Sequence, residues 1–195
     1  MQTYKQIQFQ VGAWNIENFG NQETPYLNAV FLNDDPTLQY RVELGSLAPL
    51  MGMVEELGEL FEARNNADIR DAIGDISIYL CDYCCRERLV FPTRVVLEEK
   101  EQRPGSQGLV VNLGRLYHCH LKRHQGIRGM SDDTKFNEAR MAALRALVWH
   151  LEVAARTAES NLVVILNETW NKVVKKRNWV RDPVTGGGHA HEVEV

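Results

Sequence analysis

From about Asp68 to Arg86 the chain reads as a single helix that is apolar almost all the way round. Ile69, Ala72, Ile73, Ile76, Ile78, Tyr79, Leu80 and Tyr83 are spread over most of its circumference. A surface helix needs only an apolar stripe, so a helix of this kind is predicted to lie buried among others. Asp71, Asp75 and Asp82 nevertheless share one stripe of it, at spacings of four and seven. A buried carboxylate without a partner costs several kcal/mol or gives up its charge. Arg86, four residues after Asp82, is a local partner for that residue. Asp71 and Asp75 have no such neighbour in their own helix, so theirs must come from elsewhere in the fold.

A second group of acids precedes this helix, in Glu55-Glu56-Leu57-Gly58-Glu59-Leu60. It falls within a helix predicted from about Val42 to Arg64, ended by Asn65-Asn66. Leu47, Leu50, Val54, Leu57 and Phe61 follow the three-then-four spacing of a packed seam. At ~100° per residue, Glu55, Glu56 and Glu59 lie roughly opposite that seam. Taken alone they form a solvated face. Turned toward Asp71 and Asp75, they would bring like charges together and require a cation between them. Mg²⁺, or Mn²⁺, with oxygen ligands in octahedral geometry, is the natural choice.

The rest of the chain also reads as helical. Leu109 to Gln125, Phe136 to Ala158 and Asn161 to Arg177 are predicted helices, with Gly126-Ile127-Arg128-Gly129 as a loop. A short helix is expected between the breaks at Phe91-Pro92 and Arg103-Pro104-Gly105-Ser106. The first forty residues hold an amphipathic piece and two turn signals, Asn18 to Asn21 and Asn33 to Pro36. The expected class is therefore all-α. Residues 1–101 carry seventeen acidic against eight basic side chains, whereas residues 102–195 carry nine against fourteen. This predicts an acidic half (1–102) that holds the metal motif, a basic helical half (103–183) packed on it, and a flexible tail (184–195) with Gly186-Gly187-Gly188, His189 and His191. Leu44-Gly45-Ser46-Leu47 recurs as Leu113-Gly114-Arg115-Leu116, and Ile76 to Leu80 as Leu147 to Leu151. On that alignment the halves are degenerate tandem repeats forming an intrachain pseudo-dimer, with His124, Gln125 and Arg128 standing where the first copy has Glu55, Glu56 and Glu59.

Several function classes fall away. No apolar run approaches the eighteen residues of a membrane span, and Met1-Gln2-Thr3-Tyr4-Lys5 lacks the apolar core of a signal peptide, so a cytoplasmic location is expected. Cys81, Cys84 and Cys85 crowd one stretch of an apolar helix, which suits buried reduced thiols better than a disulfide framework or a zinc site with His118, Cys119 and His120. Gly186-Gly187-Gly188 lacks the Lys and the helix of a Walker-type phosphate loop. The basic half lacks the extended positive surface of a nucleic-acid binder.

The pairing of Glu55-Glu56-Leu57-Gly58-Glu59-Leu60 with Asp71-Ala72-Ile73-Gly74-Asp75-Ile76 resembles the MazG-like all-α nucleotide pyrophosphohydrolases, whose signature is Glu-Glu-x-x-Glu followed by Glu-x-x-Asp. Asn18-Phe19, Leu121 to Gly129 and Glu168 to Trp179 also resemble segments of phage and bacterial members. One departure stands out: Ala72 occupies the position of the family's second-motif Glu, with Asp71 one place earlier. The resemblance implies a MazG-like helical bundle that hydrolyses a nucleoside triphosphate, ribose or deoxy, to the monophosphate and pyrophosphate. It also implies assembly as a homodimer or higher homo-oligomer. Glu56, Glu59, Asp71 and Asp75 would be the Mg²⁺ ligands, with Glu55 as a further ligand or as the base that takes a proton from water. Lys172, Lys175 and Arg177, or Lys122, Arg123 and Arg128, would hold phosphates, and Trp14, Phe19 or Trp170 would stack on a base. The alternatives are a catalytically silent nucleotide sensor on the same bundle and a hydrolase of an alarmone nucleotide.

Overall fold

The computed structural model describes residues 1–19, 28–31, 40–43, 45–98, 102, 103, 105–181 and 188–192, with side chains for 1–15, 45–98, 102, 103 and 105–173. Six helices make up nearly all of it: α1 (Tyr4–Phe19), α2 (Leu47–Glu62), α3 (Asn66–Arg86), α4 (Gln107–His124), α5 (Asp133–Thr157) and α6 (Leu162–Lys176). Two short antiparallel hairpins complete it, β1 (Asn28–Phe31) with β2 (Tyr40–Glu43) and β3 (Arg177–Arg181) with β4 (Gly188–Glu192). The helical class is as the sequence predicts, but the strands are not. The turn signal at Asn33 to Pro36 separates β1 from β2, and part of the expected tail forms β4. The chain leaves helical geometry at Arg177, where Trp179 and Val180 favour extended backbone.

The predicted buried helix is α3, which packs against α1, α2, α5 and α6. Ile73, Ile76, Leu80, Cys81, Tyr83 and Cys84 are buried along it. Its start is set by Asn65, whose side-chain oxygen accepts from the backbone N–H groups of Ala67 and Asp68 at 2.8 and 3.0 Å. Asp82 pairs with Arg86 at 2.9 Å, as their spacing predicts. The core is continuous from Ile7 and Val11 of α1 to Ile165, Leu166 and Trp170 of α6.

α2 departs from its predicted seam. Leu50, Met53 and Leu57 are buried, while Val54 and Phe61 are 50% and 59% exposed. Apolar residues occupy two faces of this helix, and the face carrying Gly52 meets α3: a Cβ at Gly52 would collide with the Tyr79 ring. That close approach rotates Met53, and not Val54, inward. The helix also starts five residues later than predicted, because Gly45 takes a left-handed φ of 50° just before it. Pro49 then sits in the first turn, where its missing N–H costs nothing.

The short helix expected between Phe91 and Arg103 is absent over residues 89–98. That segment is tied to α1 instead: the Gln8 side chain donates to Leu89 O at 2.6 Å and accepts from Phe91 N at 2.8 Å. Pro92 and the β-branched Val90, Val95 and Val96 oppose helix there. No helix among the described residues is long and apolar enough to cross a membrane.

Candidate carboxylate site

The inward rotation of α2 decides where its acids go. With Met53 buried and Leu60 half-buried, Glu56 lies about 60° from the first and about 40° from the second around the helix at ~100° per residue. It therefore sits at the rim of the buried face rather than opposite it. Glu55 and Glu59 remain exposed, and Glu56 is half-buried. Across the α2–α3 hairpin, Asp75 is half-buried and Asp71 exposed.

The Glu56 carboxyl is pushed up to about 7, first by burial and then by the negative charges of Asp75, Glu59, Glu55 and Asp71, in that order. The other four acids of the two motifs thus act on Glu56. Glu56 Oε2 is buried with no hydrogen-bond partner. Lys172 of α6 enters the same cluster, donating to Asp71 Oδ1 at 2.9 Å. Its ammonium is held above the usual lysine range by that bond and by the charges of Asp71, Asp75 and Glu168.

α6 reaches the cluster because α3 carries Gly74 on the facing side. A Cβ there would fall on the Thr169 hydroxyl, well inside van der Waals contact. Gly74 and Thr169 hold α6 close enough for Lys172 to reach Asp71. Ala72, by contrast, is buried in the core, so the position where the family signature has Glu faces inward, and Asp71 is the acid that meets Lys172.

Other expected site residues lie elsewhere. Lys122 bonds Gln125 at 2.7 Å, Arg123 pairs with Asp133 across the α4–α5 junction, and Arg128 meets His118 at 3.4 Å in the following loop. These contacts lie within α4, the loop that follows it and the start of α5. Trp14 packs edge-on to Trp170, ring centroids 6.3 Å apart, and Trp170 Nε1 donates to Gln10 Oε1 at 2.7 Å. Both indoles belong to the α1–α6 contact. The side chains of Phe19, Lys175 and Arg177 lie outside the described residues. Cys81, Cys84 and Cys119 are buried free thiols whose pKa values burial raises, as expected of core side chains.

Glu168 is the site residue that sequence reasoning passed over. Its signal was present: it stands four residues before Lys172 on α6, so the two share a face.

As their side chains stand, no three His, Cys, Asp or Glu among the described residues are gathered closely enough to hold a metal ion. The donor set still suits a hard divalent cation. It consists of carboxylate oxygens from two packed helices, with one buried oxygen unpartnered and one carboxyl driven toward neutrality by burial and by its acidic neighbours. No family model matches the chain, and neither a curated protein nor a solved structure matches it.

Proposed function

We propose that this chain is a Mg²⁺-dependent nucleoside triphosphate pyrophosphohydrolase, with Glu56, Glu59, Asp75 and Asp71 as metal ligands. The observation that carries the reading is the convergence of Glu55, Glu59, Asp71 and Asp75 on the partly buried Glu56 carboxyl, whose Oε2 has no hydrogen-bond partner. The resemblance of the two acidic motifs supplies the reaction. A divalent cation bound there would offset the triphosphate charge and lower the pKa of a bound water. Lys172, which donates to Asp71, would meet a phosphate oxygen. Glu55, which adds to the negative charge at Glu56, would be a further ligand or the base that takes the proton from water.

The test is pyrophosphate release from a panel of ribo- and deoxynucleoside triphosphates with Mg²⁺ or Mn²⁺. Glu59→Gln and Asp75→Asn are expected to lose roughly 10²–10⁴-fold, the range of a lost electrostatic or acid–base group. A folded wild-type protein that releases none would favour the silent sensor. The Lys172–Asp71 pair gives that rival its footing, since a fixed ammonium already offsets part of the charge a metal would.

We also infer that the two helical hairpins, α2–α3 and α4–α5, are degenerate copies. A Cβ at Gly108 of α4 would collide with the His150 ring of α5, as one at Gly52 would with Tyr79. Met53, Leu57 and Ile76 face Leu109, Leu113 and Leu147 around one small apolar gap. Matched on those glycines, Glu56 answers to Asn112 and Glu59 to Arg115. Matched on Tyr79 and His150, Asp71 and Asp75 answer to Ala142 and Ala146, in keeping with the expected pairing of Ile76 with Leu147. The expected counterparts His124, Gln125 and Arg128 do not fit, since α4 ends at His124. In the second copy Arg115 Nη1 donates to Asn112 Oδ1 at 3.0 Å, and Asn112 Nδ2 donates to Gly108 O at 2.8 Å. That arrangement satisfies itself without a cation, so the acidic cluster has no counterpart in the second hairpin.

A further inference from the structure

α2 and α4 each carry a second apolar row that stands largely in solvent. On α2 it runs through Leu47, Met51, Val54, Gly58 and Phe61, at spacings of four, three, four and three. On α4 it runs through Val110, Gly114, Tyr117 and Leu121, at spacings of four, three and four. Alternating fours and threes keep a row on one face over several turns, which is the pattern of a seam between packed helices. Met51, Val54 and Phe61 are 54%, 50% and 59% exposed, and Val110 and Leu121 are 43% and 50% exposed. A Cβ at Gly58 or Gly114, in the middle of each row, would meet nothing within 4 Å. Single exposed apolar side chains are ordinary on a surface, whereas contiguous rows of them mark contacts.

Inside the chain α2 and α4 meet through other residues, Met53 and Leu57 with Leu109 and Leu113. At ~100° per residue each row lies about a quarter-turn round its helix from that inner face. Matched on Gly52 and Gly108, Val54 answers to Val110, Gly58 to Gly114 and Phe61 to Tyr117, so both hairpins keep the row. What they do not share is charge. α2 carries Glu55, Glu56, Glu59 and Glu62 and no basic residue, whereas α4 carries Arg115, Lys122 and Arg123 and no acidic one. Glu55 and Glu62, both exposed, border the α2 row three or four residues from its members. His118 borders the α4 row in the same way, with Arg115 and Lys122 one strip further out.

We propose that the chain self-associates, with the α2 row of one copy seated on the α4 row of a second. Two α2 rows would set carboxylates against carboxylates, and two α4 rows would set cations against cations. α2 against α4 joins apolar rows of the same spacing and brings opposite charges together along their edges. One chain thus carries both halves of the contact and leaves both open. An anionic membrane surface would be repelled by α2, and a cationic partner by α4; a second copy suits both helices. The inference depends on neither metal nor turnover, so it stands or falls apart from the carboxylate cluster.

Sedimentation equilibrium of the full chain tests this. The wild-type protein is expected to form species larger than a monomer at micromolar concentrations. Val54→Lys sets a cation against α4 of the neighbouring copy, and Val110→Glu sets an anion against its α2. Each alone is expected to weaken association at least about tenfold. Lys and Glu favour helix and both positions are exposed, so circular dichroism should show unchanged helicity. Mixed in equal amounts, the two variants are expected to associate again, because each supplies the row that the other has lost and the introduced charges are opposite. A wild-type protein that stays monomeric, a variant that associates as tightly as wild type, or a mixture that associates no more tightly than its parts would each overturn the proposal.

Discussion

Glu56 is the residue on which the account turns, and its charge has a measurable cost. Its folded-state pKa of about 7 lies above the ordinary 4.5, so between those values the native protein holds a proton that the unfolded chain has released. Stability contributed by this group is therefore intact below about pH 4.5 and is lost as pH rises through about 7. Allowing for solvent screening at a half-exposed carboxyl, the loss is roughly 1–2 kcal/mol. Urea unfolding between pH 5 and 8 in the presence of a chelator checks this: Glu56→Gln should flatten the pH slope relative to wild type, and Mg²⁺ at pH 8 should restore stability to the wild-type protein. His120 works in the opposite sense, since its lowered pKa costs stability as pH falls through about 6.5. It is present in both proteins, so their difference isolates Glu56. An identical slope in the variant would remove Glu56 as the focus of the cluster.

At the scale of elements, two glycines fix the helix spacing that brings the acids and Lys172 together. Gly74→Ala must push Thr169 away and Gly52→Ala must displace the Tyr79 ring, each an overpacking change worth about 1–3 kcal/mol of destabilisation. Gly58 meets nothing within 4 Å, and Gly58→Ala in an exposed helix interior should gain up to about 1 kcal/mol. Melting temperatures of the three variants test the contrast; a loss at Gly58 equal to that at Gly74 would mean that the spacing is set elsewhere. The helices themselves were legible in the sequence. α3 was marked by its all-round apolar pattern, α4 to α6 by periodicity and the Gly126–Gly129 loop, and the α2–α3 boundary by Asn65. The rotation of α2 was not, because Val54 and Phe61 fit a periodic seam as well as Met53 does. Only the contact of Gly52 with Tyr79, a partner on another helix, breaks the tie. The same limit hid the pairing of Glu87, which caps α3, with Arg140 of α5, two residues far apart in sequence that carry no local motif.

Across the whole molecule, α3 links two polar sites of different character through one continuous apolar core. Near its N-terminal end, like charges gather without enough cation to balance them. At its C-terminal end, Glu87 pairs with Arg140 and the charges cancel. The sequence disclosed the first because five acids fall in two short motifs, and it pointed to Lys172 but not to Glu168. On the proposed function, Glu56, Glu59 and Asp75 form one divalent-cation site. Mn²⁺ binding to the full chain, followed by electron paramagnetic resonance, measures it directly. Saturable binding that weakens tenfold or more in both Glu59→Gln and Asp75→Asn is the predicted result, a loss of about 1.4 kcal/mol or more in each. Mn²⁺ that fails to bind the folded protein, or binds equally well to both variants, would contradict it.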